Sequence, residues 1–410
     1  MILSSLQITL THGNLVGLLI IKSWVSIMGP LSGVRVVEVA GIGPAPFACM
    51  LLADMGAEVI RIDRATGGVA FGANPADLMN RGRQSIILNL KTTAGIDAAK
   101  KLINSADVVI EGFRPGVMEK LGLGPEVFTG SNPKLVYGRM TGWGQQGPLS
   151  QAAGHDINYI ALTGALDAIG TDTSGPVPPL NLLGDFGGGS LYLVVGVLAA
   201  LHAAKQSGEG QVVDAAIVDG TASLMSFLHS CRAVGFWSDE RQSNMLDGGA
   251  YFYGVYRCAD DLYVSIGSIE PQFYALLVEK MGLTDDQLPI DAQLDKARWP
   301  QLKVVLAEQF AKKTRAQWCE IMEGSDVCFA PVLSPAEAVK HPHNVEREAY
   351  IERDGVVHSA PAPRFSKTPS QLAPAPVAIG QHTEDILSSL GFSGESIQAM
   401  IETGDAGAIQ

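Results

Sequence analysis

The chain has 410 residues, enough for two domains or for one large core with an inserted lobe, and its 47% hydrophobic and 17% charged content is that of an ordered globular protein. A formal net charge of −13 at pH 7 excludes a broadly basic surface, and with it nucleic acid or an anionic membrane as the expected partner. Any anionic ligand must then be held by a local cluster of Arg and Lys.

Residues 34–39 are β-rich and open into Gly41-Ile42-Gly43-Pro44-Ala45-Pro46, after which 47–55 carries apolar residues at helical spacing and 58–63 reads as a second strand. The pattern repeats with a strand at 85–90, a helix at 94–105 and a strand at 107–111, and extends through 117–123, 135–140 and 155–163. Alternation of this kind predicts an α/β fold, with a large Rossmann-like domain whose mostly parallel sheet is covered by helices. Farther on come a Gly- and Ala-rich helix at 187–205, a strand at 212–217 and a helix at 219–234. Strands over 251–267 flank the Ala259-Asp260-Asp261 turn, with helices at about 271–282 and 296–312. The expected layout is a large domain at 29–217, a linker at 218–253, a smaller α/β domain at 254–338, and a return to the large domain with a C-terminal segment at 339–410. The Pro-rich stretch 360–377 carries that return.

The five cysteines, Cys49, Cys231, Cys258, Cys319 and Cys328, show neither C-x-x-C spacing nor a disulfide framework, so free thiols and a cytoplasmic location are expected. His341-Pro342-His343 is the nearest approach to a metal motif but lacks ligand spacing, and no metal is expected. Residues 1–28 carry an apolar run at 15–21, well short of the roughly 20 residues that cross a bilayer. That segment has neither a basic start nor an A-x-A-like cleavage site, so it reads as an extension and not as a signal peptide.

The Gly41-Ile42-Gly43 turn has the first two glycines of a dinucleotide fingerprint, placed after a strand, with Asp63 at a suitable distance downstream. Pro46 replaces the third glycine and Pro44 interrupts the turn, which favours a tight packing turn over nicotinamide binding. Four cations are more informative. Arg64 follows the second strand, Lys91 follows Leu90 at the end of the next, Arg114 lies in a Phe-Arg-Pro-Gly loop and Lys120 stands in the helix after it. Each alone is a solvated surface charge; together, in an acidic protein, they suggest an anion site.

The strongest chemical signal is Gly154-His155-Asp156-Ile157-Asn158-Tyr159, followed by Asp185 in Gly184-Asp185-Phe186-Gly187-Gly188-Gly189-Ser190. An imidazole and a carboxylate that face one carbon from opposite sides are what proton-transfer racemisation requires, because one removes the proton and the other delivers one to the opposite face. Taken singly, His155 is a helix-start histidine and Asp156 an N-cap or first-turn carboxylate. Joined by Asp185, by Glu270 and by a glycine run that lets backbone approach a ligand, they read as catalytic. The backbone N–H of Asp156, at a helix start, is the most economical donor to a developing oxyanion.

These segments, with Asn244-Met245-Leu246-Asp247-Gly248-Gly249-Ala250 and Glu270-Pro271-Gln272-Phe273-Tyr274, stand in the order seen in α-methylacyl-CoA racemases. Gly33-Val34-Arg35-Val36-Val37-Glu38, Glu111-Gly112-Phe113-Arg114-Pro115-Gly116 and Thr141-Gly142-Trp143-Gly144 resemble the wider class III CoA-transferase superfamily. The resemblance implies inversion at C2 of a 2-methylacyl-CoA, with Glu270 orienting His155, and with Arg64, Leu90, Lys91, Arg114 and Lys120 holding CoA as part of the substrate, with no separate cofactor. Arg64 would take the 3′-phosphate, and Lys120 stands where the family often has Arg. It further implies an interlocked homodimer in which Glu270 reaches His155 across the interface, and a start at Met28. The alternative it leaves is CoA transfer, with Asp185 as the nucleophile. Tyr251 stands where related racemases commonly have Pro, and would either reshape the acyl pocket or pack outside it.

Overall fold

Val37 and Val39 of strand β1 (Arg35–Val39) enter one hydrophobic layer and Val36 enters another, so the first strand is buried on both faces. The computed structural model describes residues 29–65, 74 and 76–407; the expected extension at 1–28 and the start at Met28 lie outside the described residues. Strands β2 (Glu58–Asp63), β3 (Arg83–Leu88), β4 (Val108–Glu111), β5 (Val136–Thr141) and β6 (Val212–Ala216) join β1 in parallel, and β7 (Ala406–Gly407) closes one edge antiparallel to β3. The order β7-β3-β2-β1-β4-β5-β6 makes a seven-stranded, mostly parallel sheet, as the alternating pattern predicts.

The chain lays β2 and β3 to one side of β1 and then returns to its other side with β4, β5 and β6. The direction of winding therefore reverses between β1 and β4. Loops leaving the carboxyl ends of these two neighbours diverge and open a crevice, the usual ligand position in such sheets. Helices Pro44–Asp54 and Tyr192–Ser207 cover one face, through residues such as Ala48, Leu52, Leu193 and Val197. Helices Thr93–Asn104, Thr383–Ser389 and Gly394–Thr403 cover the other.

A smaller lobe is built on an antiparallel sheet of Tyr253–Arg257, Tyr263–Gly267 and Phe329–Val332, with the middle segment central. Helices Pro271–Met281, Trp299–Phe310 and Arg315–Met322 enclose with it a separate core containing Tyr256, Tyr274, Phe310 and Trp318. Tyr251 belongs to this core: it is fully buried, and its hydroxyl lies 2.6 Å from that of Tyr274. Tyr251 is thus a packing residue of this lobe's core. The Asn244–Ala250 segment is likewise architectural, since Asp247 accepts from the backbone N–H of Asn244 and Gly249 and from the Asn244 side chain, at 2.8–3.0 Å.

Two helical expectations need correction. The helix expected at 187–205 begins earlier, and its first part, Leu182–Leu191, is wound as a π-helix before becoming α-helical over Tyr192–Ser207. The glycines permit this wide winding and a close approach to helix Ile217–Leu224, where a β-carbon on Gly188 would meet Thr221 Oγ1. The helix expected at 219–234 is two helices, Ile217–Leu224 and Ser226–Ala233, broken at Met225.

Candidate active site

A cleft of about 610 Å³ opens at the reversal point between β1 and β4. Its walls include Ile42–Ala45 after β1, 112–115 after β4, 140–143 at the carboxyl end of β5 and just beyond it, and residues 152–155, with Asn158, Tyr159 and Asp185. His155 occupies the N-cap position of helix Asp156–Leu162, with extended backbone, and its N–H donates to Asn158 Oδ1 at 3.0 Å. Asp185 sits in the first turn of the π-helical segment. Loop and π-helix thus bring His155 and Asp185 to the same cavity.

Tyr159 backs this arrangement. Its hydroxyl donates to Gly154 O, and its ring meets that of Trp143 edge-on at 4.7 Å between centroids. A β-carbon on Gly142 would strike the Tyr159 ring, and one on Gly154 would lie 2.7 Å from its Cε1. Glycine at both positions is what lets the aromatic ring lie against the backbone that presents His155.

Asp185 is half-buried. Burial foremost, and then the neighbouring Asp156 carboxylate, push its carboxyl up to about 6, while the His155 imidazole and a hydrogen bond from Asn181 act in the opposite direction. A carboxyl tuned toward neutrality in a cleft is suited to exchanging a proton. Burial and the Asp185 charge also raise the Tyr159 phenol above its ordinary value. Asp156 itself points inward, and its Oδ2 accepts from the Asp185 N–H at 2.6 Å.

A second cavity, of about 530 Å³, lies beside the first and shares Phe113 with it. Arg64, Leu90 and Lys91, expected to hold CoA, all line it, at the carboxyl ends of β2 and β3. The Arg64 guanidinium stands 5.6 Å from the centre of the Phe113 ring. Arg114 lines the first cavity, on the other side of Phe113. Lys120 is exposed and lines neither, although Val117 of its own helical turn lines the second. Glu270 is exposed at the N-cap of helix Pro271–Met281 and lines neither cavity within one chain.

Sequence reasoning passed over Gly43, Phe113, Trp143 and Tyr159 as site residues. Gly43, at φ 73°, ends the turn after β1 directly beside the Asp185 carboxylate, so this turn walls the cleft as well as packing. Its place immediately after the first strand was the available signal. Phe113 stood next to a cation already singled out.

A cleft at the switch point of a parallel sheet, holding a histidine and a carboxyl tuned toward neutrality and flanked by a cation-lined cavity, defines an α/β protein equipped for acid–base chemistry on an anionic ligand. Residues 31–383 match CoA-transferase family III, and the chain belongs to that family. It is 47% identical over 369 residues to the alpha-methylacyl-CoA racemase of Mus musculus, a match covering 90% of this chain and 95% of the mouse protein. It is 46% identical over 372 residues to the Homo sapiens racemase, with 90% and 95% covered. The crystal structure of a CAIB/BAIF family protein from Brucella suis superposes with a TM-score of 0.76 at 25% identity, covering 88% of this chain and 100% of that one.

Proposed function

We propose that this chain inverts the configuration at C2 of 2-methylacyl-CoA thioesters by two-base proton transfer. The observation that carries the reading is the meeting of His155 and Asp185 in one cleft. From one epimer, one of the pair removes the C2 proton; the carbanion delocalises as a planar enolate, and the other base returns a proton to the opposite face. From the other epimer the roles exchange. Charge gathers on the thioester oxygen, and the backbone N–H of Asp156 is the donor this reading assigns to it.

CoA would enter as part of the substrate, its phosphates held by Arg64 and Lys91 beside Leu90, and its thioester arm passing Phe113 and Arg114 into the cleft. Lys120, exposed beyond the cavity, would add a diffuse attraction. Glu270 would reach His155 from a second subunit, since it does not line the cleft of its own chain. Helix Ser226–Ala233 and its neighbours expose Leu224, Phe227, Val234 and Phe236, and the helical span Leu182–Ser207 is long and apolar enough to cross a membrane while only 39% buried in its most apolar window. A homodimer would cover these surfaces with protein in place of lipid. Five free cysteines suit a cytoplasmic setting, and branched acyl groups suit lipid metabolism.

Family membership keeps CoA transfer as the second reading, in which the Asp185 carboxylate attacks the thioester carbonyl, forms a mixed anhydride and expels CoA as thiolate. One experiment separates the two. The (2R) and (2S) forms of a 2-methylacyl-CoA are incubated separately in D2O without acceptor acid and followed by proton NMR and chiral analysis. Deuterium at C2 and convergence of both samples on one epimer mixture is the expected result. Absence of exchange, with CoA transfer on adding carboxylic acids, would make Asp185 a nucleophile.

A further inference from the structure

The Asp185 peptide is held from both sides. Its N–H donates to Asp156 Oδ2 at 2.6 Å, and its C=O accepts from Ser190 Oγ at 2.9 Å, a hydroxyl that also lies 2.7 Å from Pro44 O in the first turn of helix Pro44–Asp54. Asp156 is only 8% exposed, and its Oδ1 is buried with no bonding partner. A β-carbon on Gly184 would collide with this carboxylate, so the side chain is wedged against the residue that precedes Asp185.

Helix capping does not account for this placement. The N-cap is His155, and the side-chain bond to its N–H comes from Asn158. A first-turn carboxylate serves a helix dipole from solvent, fully hydrated. Turning Asp156 inward removes it from water and leaves one oxygen unbonded, which is unfavourable unless the inward contact has a use. The contact it makes is with the backbone of the other proposed base.

We propose that Asp156 is a positioning residue, whose carboxylate grips the Asp185 N–H and fixes the first turn of the π-helical segment, so that the Asp185 side chain stays in the cleft it shares with His155. As a positioning role it rests on the two-base reading; the grip itself does not. The groups facing Asp185 are Asp156, His155 and Tyr159 from one side and Asn181 from its own segment. Asp156 is the nearest fixed negative charge among them, and it favours the protonated form of Asp185.

The test compares wild type with Asp156→Asn, which keeps an acceptor oxygen but removes the charge, and Asp156→Ala, which removes both. Hydrogen exchange at the Asp185 amide reads the grip, carbon-13 NMR titration of the Asp185 carboxyl reads the charge, and C2 deuterium exchange reads catalysis. In the Asn variant the amide stays protected and Asp185 titrates at lower pH. In the Ala variant the amide exchanges at least ~10-fold faster and kcat falls roughly 10- to 100-fold with KM little changed, the cost of a misplaced base. An Asp185 amide as protected in the Ala variant as in wild type overturns the proposal. If the Ala protein fails to fold, Asp156→Leu, which keeps the bulk and removes both acceptor oxygens, is read by the same amide exchange, and unchanged protection there overturns the proposal equally. Wild type that loosens on Asp156→Ala but exchanges no C2 proton sinks the two-base reading and leaves the grip standing.

Discussion

Gly43 faces the Asp185 carboxylate so closely that a β-carbon built on it would lie 3.4 Å from Asp185 Oδ2. Its backbone, at φ 73° and ψ −120°, lies in a region that L side chains rarely adopt. Gly43→Ala therefore meets two obstacles, a strained turn costing about 1–3 kcal/mol and a methyl group against the Asp185 carboxyl. The expected result is a lower melting temperature together with a fall in kcat of at least ~10-fold, the scale set by a displaced reacting group. An Ala protein with wild-type kinetics would mean that Asp185 does not work from this position.

The pH dependence follows from the pair. A two-base racemase needs one proton shared between Asp185 and His155, so doubly protonated and doubly deprotonated forms are both inactive and kcat/KM is bell-shaped. The ratio of kcat/KM for the two epimers equals their equilibrium constant, which does not depend on pH, so both directions must show the same bell. Because Asp185 is pushed up to about 6, the acid limb should fall near pH 6, well above the range of an ordinary carboxylate. Profiles with different limbs for the two epimers, or a flat response between about pH 5 and pH 7, would contradict this assignment.

The parallel sheet was legible, and His155 and Asp185 could be picked out as candidates, because each rests on a local signal: alternating strand and helix patterns, and polar residues inside glycine-rich turns. The meeting of His155 with Asp185 was legible only as chemistry that would make sense. Winding of Leu182–Leu191 as a π-helix was not, since nothing in the apolar spacing separates a bond to the fifth residue from one to the fourth. The inward turn of Asp156 was hidden for a related reason, because a carboxylate at the start of a helix ordinarily serves the dipole from solvent. Tyr251 was ambiguous in sequence because a tyrosine can line a pocket or fill a core; its bond to Tyr274, 23 positions away, decides for the core. The edge strand Ala406–Gly407 is too short to carry a strand pattern at all.

Arg64 and Lys91 give the CoA assignment a separate test. Both are exposed and line the cavity across Phe113 from His155 and Asp185, so on the proposed reading they should bind the nucleotide end equally in ground state and transition state. Arg64→Ala is expected to raise KM roughly 10-fold, the loss of one charge-assisted contact, with kcat little changed. Lys91→Ala should act in the same way and Lys120→Ala more weakly, and added salt should shrink all three effects by screening. Steady-state kinetics at two ionic strengths would settle it, and a fall in kcat without a change in KM would move these cations out of the CoA site.

Stability behind the cleft depends on Glu38 and Arg83, both wholly buried. Arg83 donates from Nε to Glu38 Oε2 at 2.9 Å, from Nη1 to Arg81 O at 2.8 Å and from Nη2 to Pro46 O at 2.6 Å, tying β3 to the helix that carries the Gly43 turn. Burial, the largest single effect, acts to lower the Arg83 pKa, but the Glu38 charge and hydrogen bond, together with the Cys49 and Asp54 side chains, outweigh it and the guanidinium is held above its ordinary value. Removing one partner strands the other charge in the core, so Glu38→Ala should cost about 3–5 kcal/mol in urea unfolding. Replacing both with apolar residues of similar size, Glu38→Leu with Arg83→Met, removes the stranded charge along with the pair and should recover much of that loss. Because the double variant also frees the Pro46 carbonyl, it should regain stability without regaining full activity. If instead the double variant were no more stable than Glu38→Ala, the damage would come from lost packing and not from an unpaired charge.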